Sequence, residues 1–328
     1  MLDTRLLAWW LTIRQGHQGI RHPGRLIALK GRVVDRQLYD PDHQAPMPFA
    51  AADDYARQVM AWAREPLPDD VVVQRDIPYG PHRLHRYNVF APRGARNAPV
   101  LVFWHGGGWT NGYRDYTTCQ AAQIVRLGLV LVAPSYRLAP EHPLPCAVDD
   151  AIALLLALQE SPPAGSSQAN RFFLSGHSAG GHIAALTALR SAERERAGLR
   201  SDCVRACLPI SGIMDLHAPS PPPGSLGERV YSHVLKGRDP LLDTVLSPLF
   251  WAAGNRVAFA LTYGESDSPR VIKSNQRLFA MLQAQGNASA VSCVVEPGRD
   301  HFQTHTALRD PADGWYSRLA TMVVGDSA

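Results

Sequence analysis

Ser178 stands in Gly176-His177-Ser178-Ala179-Gly180, with the apolar run RFFLS before it and the run IAALTAL, suited to a helix, after it. A serine in so sharp a strand-to-helix turn is held clear of the sheet, and the flanking glycines remove Cβ atoms that would crowd the turn. Its oxygen faces the amino end of a helix, where developing negative charge is favoured. That is the setting of a nucleophile for a carbonyl carbon; without the context, the same five residues would be a glycine-rich turn with a surface hydroxyl. Gly181 and His182 extend the motif to GHSAGGH. A second cluster, His105-Gly106-Gly107-Gly108-Trp109, follows the apolar run VLVFW. Backbone amides of such a loop can be aimed at an oxyanion with no side chain in the way. No Lys-Ser/Thr pair follows it and it lacks the G-x-G-x-x-G register, which argues against a nucleotide phosphate cradle.

A serine nucleophile needs a base and a group to orient that base, and on this scaffold they follow in the order serine, acid, histidine. Asp267 ends ALTYGESD just before a helical run from Val271, and His301 follows SCVVEPGRD one strand later. Glu265 is the rival acid, two residues away in register; Asp239 and Asp243 fall in an irregular stretch. His305 reads as a packing or capping residue, and His105 as one that orients the glycine loop by a hydrogen bond. No H-E-x-x-H or other carboxylate arrangement accompanies His301 and His305, so no metal is expected.

These residues require a sheet to hold them. From Val71 onward short β-rich runs alternate with helical ones: Val71–Tyr79, Leu84–Ala91, Val100–Trp104, Leu129–Ala133, Arg171–Ser175, Val204–Ser211, Val257–Tyr263 and Ala290–Val295 read as strands. Helical patterns lie near Tyr116–Leu127, Ala147–Leu158, Ala179–Leu189 and Val271–Gln283. Runs such as LVFW and LVLVA are apolar on both faces, as strands covered by helices must be, and the alternation implies a parallel sheet with right-handed crossovers. The first two strands, joined by Gly80–Arg83, should form an antiparallel hairpin at one edge. Residues 213–250 break the rhythm with Pro219, Pro221, Pro222, Pro223 and Gly224, then a helical stretch around Arg229–Leu235. Such an insertion would lie over the carboxyl ends of the strands, where α/β sheets place ligands. Residues 1–70, with Leu6–Ile13 and a helical spacing from Ala50 to Trp62, are its natural partner in a lid. Trp9, Trp10 and Trp62 belong there as core residues, with an aromatic pocket lining as the alternative.

Composition bounds the rest. With 328 residues, 45% of them hydrophobic, the chain is long enough for one large domain and too apolar for disorder. Its 33 cations against 29 anions leave +4, with no basic run, which excludes a nucleic-acid footprint and a charged membrane surface. Leu6–Ile13 is too short to span a bilayer. Five dispersed cysteines without a Cys-x-x-Cys pair point to buried thiols in a cytoplasmic protein.

With these residues in hand, the chain resembles an α/β-hydrolase of the hormone-sensitive-lipase and arylformamidase (kynurenine formamidase) group, from about Asp76 to the C-terminus. The landmarks are DIPYG, HGGGW, SYRLAPEHPLPCAVDDA, GHSAGGHIAAL, SGIMDL, GESDSP and RDHF. HGGGW with YRLAPEHPLP leans toward the bacterial esterases; GHSAGGH, SGIMDL, GESDSP and DHF lean toward the arylformamidases. Two positions depart from the patterns: arylformamidases often carry a bulkier residue where Gly108 stands, and the esterases an acidic one where His177 stands.

The resemblance implies an α/β-hydrolase domain over 71–328, a mostly parallel central sheet flanked by helices; residues 1–70 lie outside it, and with 213–250 they are expected from the residue pattern to form a helical lid. It implies a catalytic triad of Ser178, Asp267 and His301, with the amides of Gly107, Gly108 and Ala179 as the oxyanion hole. No cofactor is expected. The expected activity is a carboxylesterase that cleaves an ester of a small or aromatic substrate through an acyl-enzyme. The alternative is hydrolysis of an N-formyl arylamide such as N-formylkynurenine; two further readings, ranked below it, are acyl transfer or cyclisation in a biosynthetic pathway, and ligand binding without turnover. The expected partner is the small-molecule ester or amide, not nucleic acid or membrane; a homodimer is compatible with the sequence.

Overall fold

The computed structural model describes Gln44, Met47 and residues 49–167, 171–237, 240–286 and 291–325. The chain divides into two units, Met1–Tyr39 and Asp40–Ala328. All described residues belong to the second, so Leu6–Ile13, with Trp9 and Trp10, lies outside them, as does Asp239.

Eight strands form one sheet: β1 (Val71–Pro78), β2 (Arg86–Pro92), β3 (Val100–Trp104), β4 (Val130–Pro134), β5 (Phe172–His177), β6 (Val204–Ile210), β7 (Ala258–Gly264) and β8 (Val291–Glu296). Their order is β1-β2-β4-β3-β5-β6-β7-β8, with β1 and β2 antiparallel at one edge and β4 through β8 parallel. Every expected strand is present, each within two residues of the bounds read from the sequence.

The helices are α1 (Ala50–Trp62), α2 (Ala121–Arg126), α3 (Leu144–Glu160), α4 (Ala179–Leu189), α5 (Ser191–Ala197), α6 (Leu226–Arg229), α7 (Pro240–Val245), α8 (Pro269–Gln283), α9 (Gln303–Thr306) and α10 (Gly314–Gly325). Alternation along β3 shows why it is apolar throughout. Val100, Val102 and Trp104 join the core layer beneath α3, α4 and α8, whereas Leu101 and Phe103 join the one beneath α2 and α10.

Two readings need correction. The helix expected near Tyr116–Leu127 is a 3₁₀ segment, Arg114–Gln120, that becomes α-helical only in α2. Arg114 is buried, its Nε donates to Asn88 Oδ1 at 3.2 Å, and Thr117 Oγ1 donates back to the Arg114 carbonyl at 3.0 Å. Those anchors at a spacing of three residues favour the tighter winding. The cysteines are all unpaired, but only Cys203 and Cys207 are buried; Cys119, Cys146 and Cys293 are half-buried. Among the described residues no helix is long and apolar enough to cross a membrane.

Candidate active site

The turn between β5 and α4 forces Ser178 to φ 54° and ψ −117°, a strained conformation for a residue with a side chain. Its N–H donates to the Ile210 carbonyl of the neighbouring strand at 2.8 Å, which helps to hold the strain. Glycine is required on both sides. A Cβ on Gly176 would come within 2.7 Å of the Trp104 carbonyl oxygen, and one on Gly180 would collide with the same carbonyl. The turn is therefore pressed against the end of β3, and the half-buried Ser178 hydroxyl emerges from the carboxyl edge of the sheet.

His301 lies in the loop between β8 and α9. Its Nε2 is 2.8 Å from Ser178 Oγ and its Nδ1 is 2.8 Å from Asp267 Oδ1. Asp267, at the end of β7, is 5% exposed. Burial alone would raise its pKa, but the hydrogen bond and charge of His301, with Ser211 and the Gly264 N–H, outweigh it and hold the carboxyl below the ordinary range. Glu265 does not reach His301; its carboxylate accepts the Gly298 N–H at 2.8 Å and ties the β7 end to the turn that precedes His301. Asp243 is buried elsewhere, taking hydrogen bonds from Tyr231 and, at 3.0 Å, from His217. The neighbouring serines are also occupied: Ser175 Oγ donates to the Leu208 carbonyl at 2.6 Å, and Ser211 Oγ pairs with Thr304 Oγ1 at 2.9 Å.

The glycine loop after β3 sits beside this group. A Cβ on Gly106 would lie 3.4 Å from Ser178 Cβ and 2.8 Å from His177 Nδ1. His105 Nδ1 donates to the Gly106 carbonyl at 2.7 Å, and its ring stacks on Tyr136 at 4.3 Å. Gly107 and Gly108 adopt φ 124° and 60°, a region open to glycine. Their N–H groups have no hydrogen-bond acceptor among the described residues. Ala179 begins α4, so its N–H is one of the donors a helix leaves unused at its amino end. His182, in α4, donates from Nε2 to the Leu246 carbonyl at 2.7 Å and is structural. Among the described residues no group of three His, Cys, Asp or Glu could hold a metal ion.

The sequence does not reveal what packs around the site. Gln44 brackets Gly112, donating to its carbonyl at 3.0 Å and accepting its N–H at 2.9 Å. Tyr55, from α1, meets His305 Nδ1 through its hydroxyl at 2.8 Å and packs against Phe302 with ring centroids 5.2 Å apart. A largely apolar cavity opens beside Gly108, lined by Met47, Phe49, Leu226, Val230 and Val234 together with Thr110 and Arg229. Trp62 points elsewhere, half-buried beneath the Arg309 guanidinium at 4.7 Å. No local signal marks Tyr55 or Gln44, because their partners lie far along the chain.

A family model described as alpha/beta hydrolase fold matches residues 101–303. Carboxylesterase NlhH of Mycobacterium tuberculosis is 35% identical over 150 residues, which are 44% of this chain and 47% of that one. Esterase LipQ of the same organism is 28% identical over 265 residues, 76% of this chain and 61% of its own. The chain thus spans about half the length of the curated relatives it matches. A Pyrobaculum calidifontis esterase of known structure superposes with a TM-score of 0.69 over 86% of this chain and 95% of its own; at 21% identity, that likeness is one of fold.

Proposed function

The chain belongs to the alpha/beta hydrolase fold family, and from that premise we propose that it is a serine carboxylesterase acting on small or aromatic esters. The observation that carries the reading is the continuous hydrogen-bonded line from Ser178 Oγ through His301 to Asp267. Ser178 attacks the ester carbonyl while His301 Nε2 takes its proton. Asp267 accepts the Nδ1–H, fixes the tautomer and stabilises the imidazolium that forms. The free amides of Gly107, Gly108 and Ala179 receive the oxyanion. His301 then protonates the departing alcohol, and water releases the acid from the acyl-enzyme by the same steps in reverse. No metal or organic cofactor enters this sequence. The relatives named for carboxylesterase and esterase activity support the bond type.

The substrate cover is part of the proposal. Residues 1–70 and 213–250 act as a lid on the catalytic domain, a reading supported by the cavity that Met47, Phe49, Leu226 and Val230 share with Gly108. The unpaired cysteines favour a cytoplasmic setting. An ester is preferred to an N-formyl arylamide because an alkoxide leaves more easily than an amine anion. The test compares initial rates on short-chain nitrophenyl esters and on N-formylkynurenine, for the wild type and Ser178→Ala. Faster ester turnover that Ser178→Ala abolishes is expected. Faster formamide turnover would replace the bond type, and turnover surviving in Ser178→Ala would overturn the mechanism.

A further inference from the structure

His177 stands between Gly176 and the nucleophile, yet no step above uses it. Its Nε2 is 2.8 Å from the backbone carbonyl oxygen of His301. A carbonyl accepts and cannot donate, so Nε2 carries the proton. Nδ1 is buried without a partner among the described residues, facing Gly106. A second proton there would be a buried donor with no acceptor. Burial first, then the neighbouring His301 and His305, hold the His177 pKa well below the ordinary histidine value. His177 is thus a neutral imidazole with a fixed donor. One face stacks on His305 at 5.1 Å with an interplanar angle of 17°, and the Tyr55 ring lies 5.6 Å away. His305 is held in turn by the Tyr55 hydroxyl at 2.8 Å and by Phe103 at 5.6 Å.

We propose that His177 is a positioning residue for His301, clamping the backbone carbonyl of the catalytic histidine while Tyr55, from α1, braces His177 through His305. This inference rests on the serine-hydrolase reading. The His301 imidazole must satisfy two partners in opposite directions, both at 2.8 Å, from a loop that leaves it half-exposed. Its carbonyl takes two bonds, one from His177 Nε2 and one from Thr304 Oγ1, the latter at 2.8 Å. Thr304 ties the loop to itself, three residues on. His177 ties it to the strand-turn-helix that carries Ser178, so nucleophile and base move as one body. The neutral state matters as well, because a second positive charge beside His301 would oppose the imidazolium that catalysis forms.

The test uses the full chain and a nitrophenyl butyrate, with kcat, KM and the rate of fluorophosphonate labelling measured for three variants. His177→Leu removes the donor. His177→Asn keeps polarity but its amide falls short of the carbonyl, and His177→Gln places an amide N–H at about the reach of Nε2. For Leu and Asn, kcat should fall about 10–100-fold with KM within about twofold, labelling slowing by the same factor, since the loss is one of alignment. Gln should recover to within about fivefold of the wild type. Should His177→Leu fail to fold, the Asn and Gln pair carries the test. The proposal is overturned if His177→Asn keeps wild-type kcat, if a folded His177→Gln is no better than Asn, or if the loss lies in KM. Ser178→Ala runs alongside. Wild-type rates there would overturn the serine-hydrolase reading itself, whereas an inert Ser178→Ala with a fully active His177→Asn overturns the positioning role alone.

Discussion

The floor of the site and its rim are built in different ways. On the floor, Ser178, Asp267 and His301 are spread over more than a third of the sequence, but each follows a strand of one sheet. Backbone contacts fix them: the Ser178 N–H on Ile210, the glycines against Trp104, the Asp267 N–H on the Gly264 carbonyl at 3.1 Å. At the rim, Met47, Phe49, Leu226, Val230 and Val234 come from two separate segments and meet through apolar side chains. A backbone-fixed floor preserves reaction geometry, whereas side-chain packing at the rim can be exchanged without moving the sheet. The difference implies that floor mutations change kcat and rim mutations change KM and substrate choice.

The largest break belongs to the floor. Ser178→Ala should lower kcat by a factor on the order of 10³ or more while the melting temperature stays nearly constant, because the lost hydroxyl supports no part of the core. Asp267→Asn should follow, lowering kcat by up to about 10⁴-fold with KM little changed, since His301 loses the acceptor that fixes its tautomer. Glu265→Gln, measured beside it, should be the milder change. If it is the more damaging of the two, the acid has been assigned to the wrong carboxylate.

The floor should also carry the pH dependence of stability. Burial lowers the pKa of His105 and His182 to about 4 and of His305 to about 3, against 6.5 unperturbed, and that of His177 well below it. Each takes up a proton on unfolding before it can do so when folded. Their contribution is therefore complete above about pH 6.5 and is lost as the pH falls toward 4, by up to about 1.4 kcal/mol per imidazole per pH unit. Urea midpoints at pH 7.5, 6.5 and 5.5 check the sign: a midpoint that holds down to pH 5.5 would contradict it, since most carboxylates titrate lower.

Smaller effects belong to the rim. Leu226→Trp, at a half-buried position lining the cavity beside Gly108, should cut kcat/KM for an octanoyl ester about tenfold and spare the acetyl ester. Deleting residues 1–40 should raise KM for bulky aromatic esters about three- to tenfold and leave the smallest esters nearly unaffected. Solubility and melting temperature must be checked first, because an exposed apolar patch would aggregate. A folded truncation with unchanged KM across the whole panel would remove those residues from the lid.

The same contrast explains how far the sequence could be read. The inner strands β2–β7 were legible because two-sided burial writes itself as apolar runs, and α4 because the apolar run IAALTAL follows the serine turn. Asp267 and His301 could be found because each ends a strand and its successor, which fixes order and register. The 3₁₀ winding at Arg114–Gln120 was not legible, since it depends on Asn88, far back in β2. Neither were α5 and α10, although Trp315, Tyr316 and Leu319 mark a buried face in α10. The assembly of Tyr55, His177 and His305 leaves no trace in spacing: Tyr55 and His305 are 250 positions apart. What strands and turns encode locally can be read; what side chains build across the chain needs the fold.

The central claim is that Ser178 is the nucleophile and that its reactivity comes from His301. It is tested most directly by labelling with a fluorophosphonate and mapping the adduct by peptide mass spectrometry, in the wild type and in His301→Ala. The account predicts one adduct, on Ser178, formed in the wild type and slowed by a factor on the order of 10³ when His301 is removed. An adduct on Ser175 or Ser211, or labelling of Ser178 at an undiminished rate without His301, would contradict it.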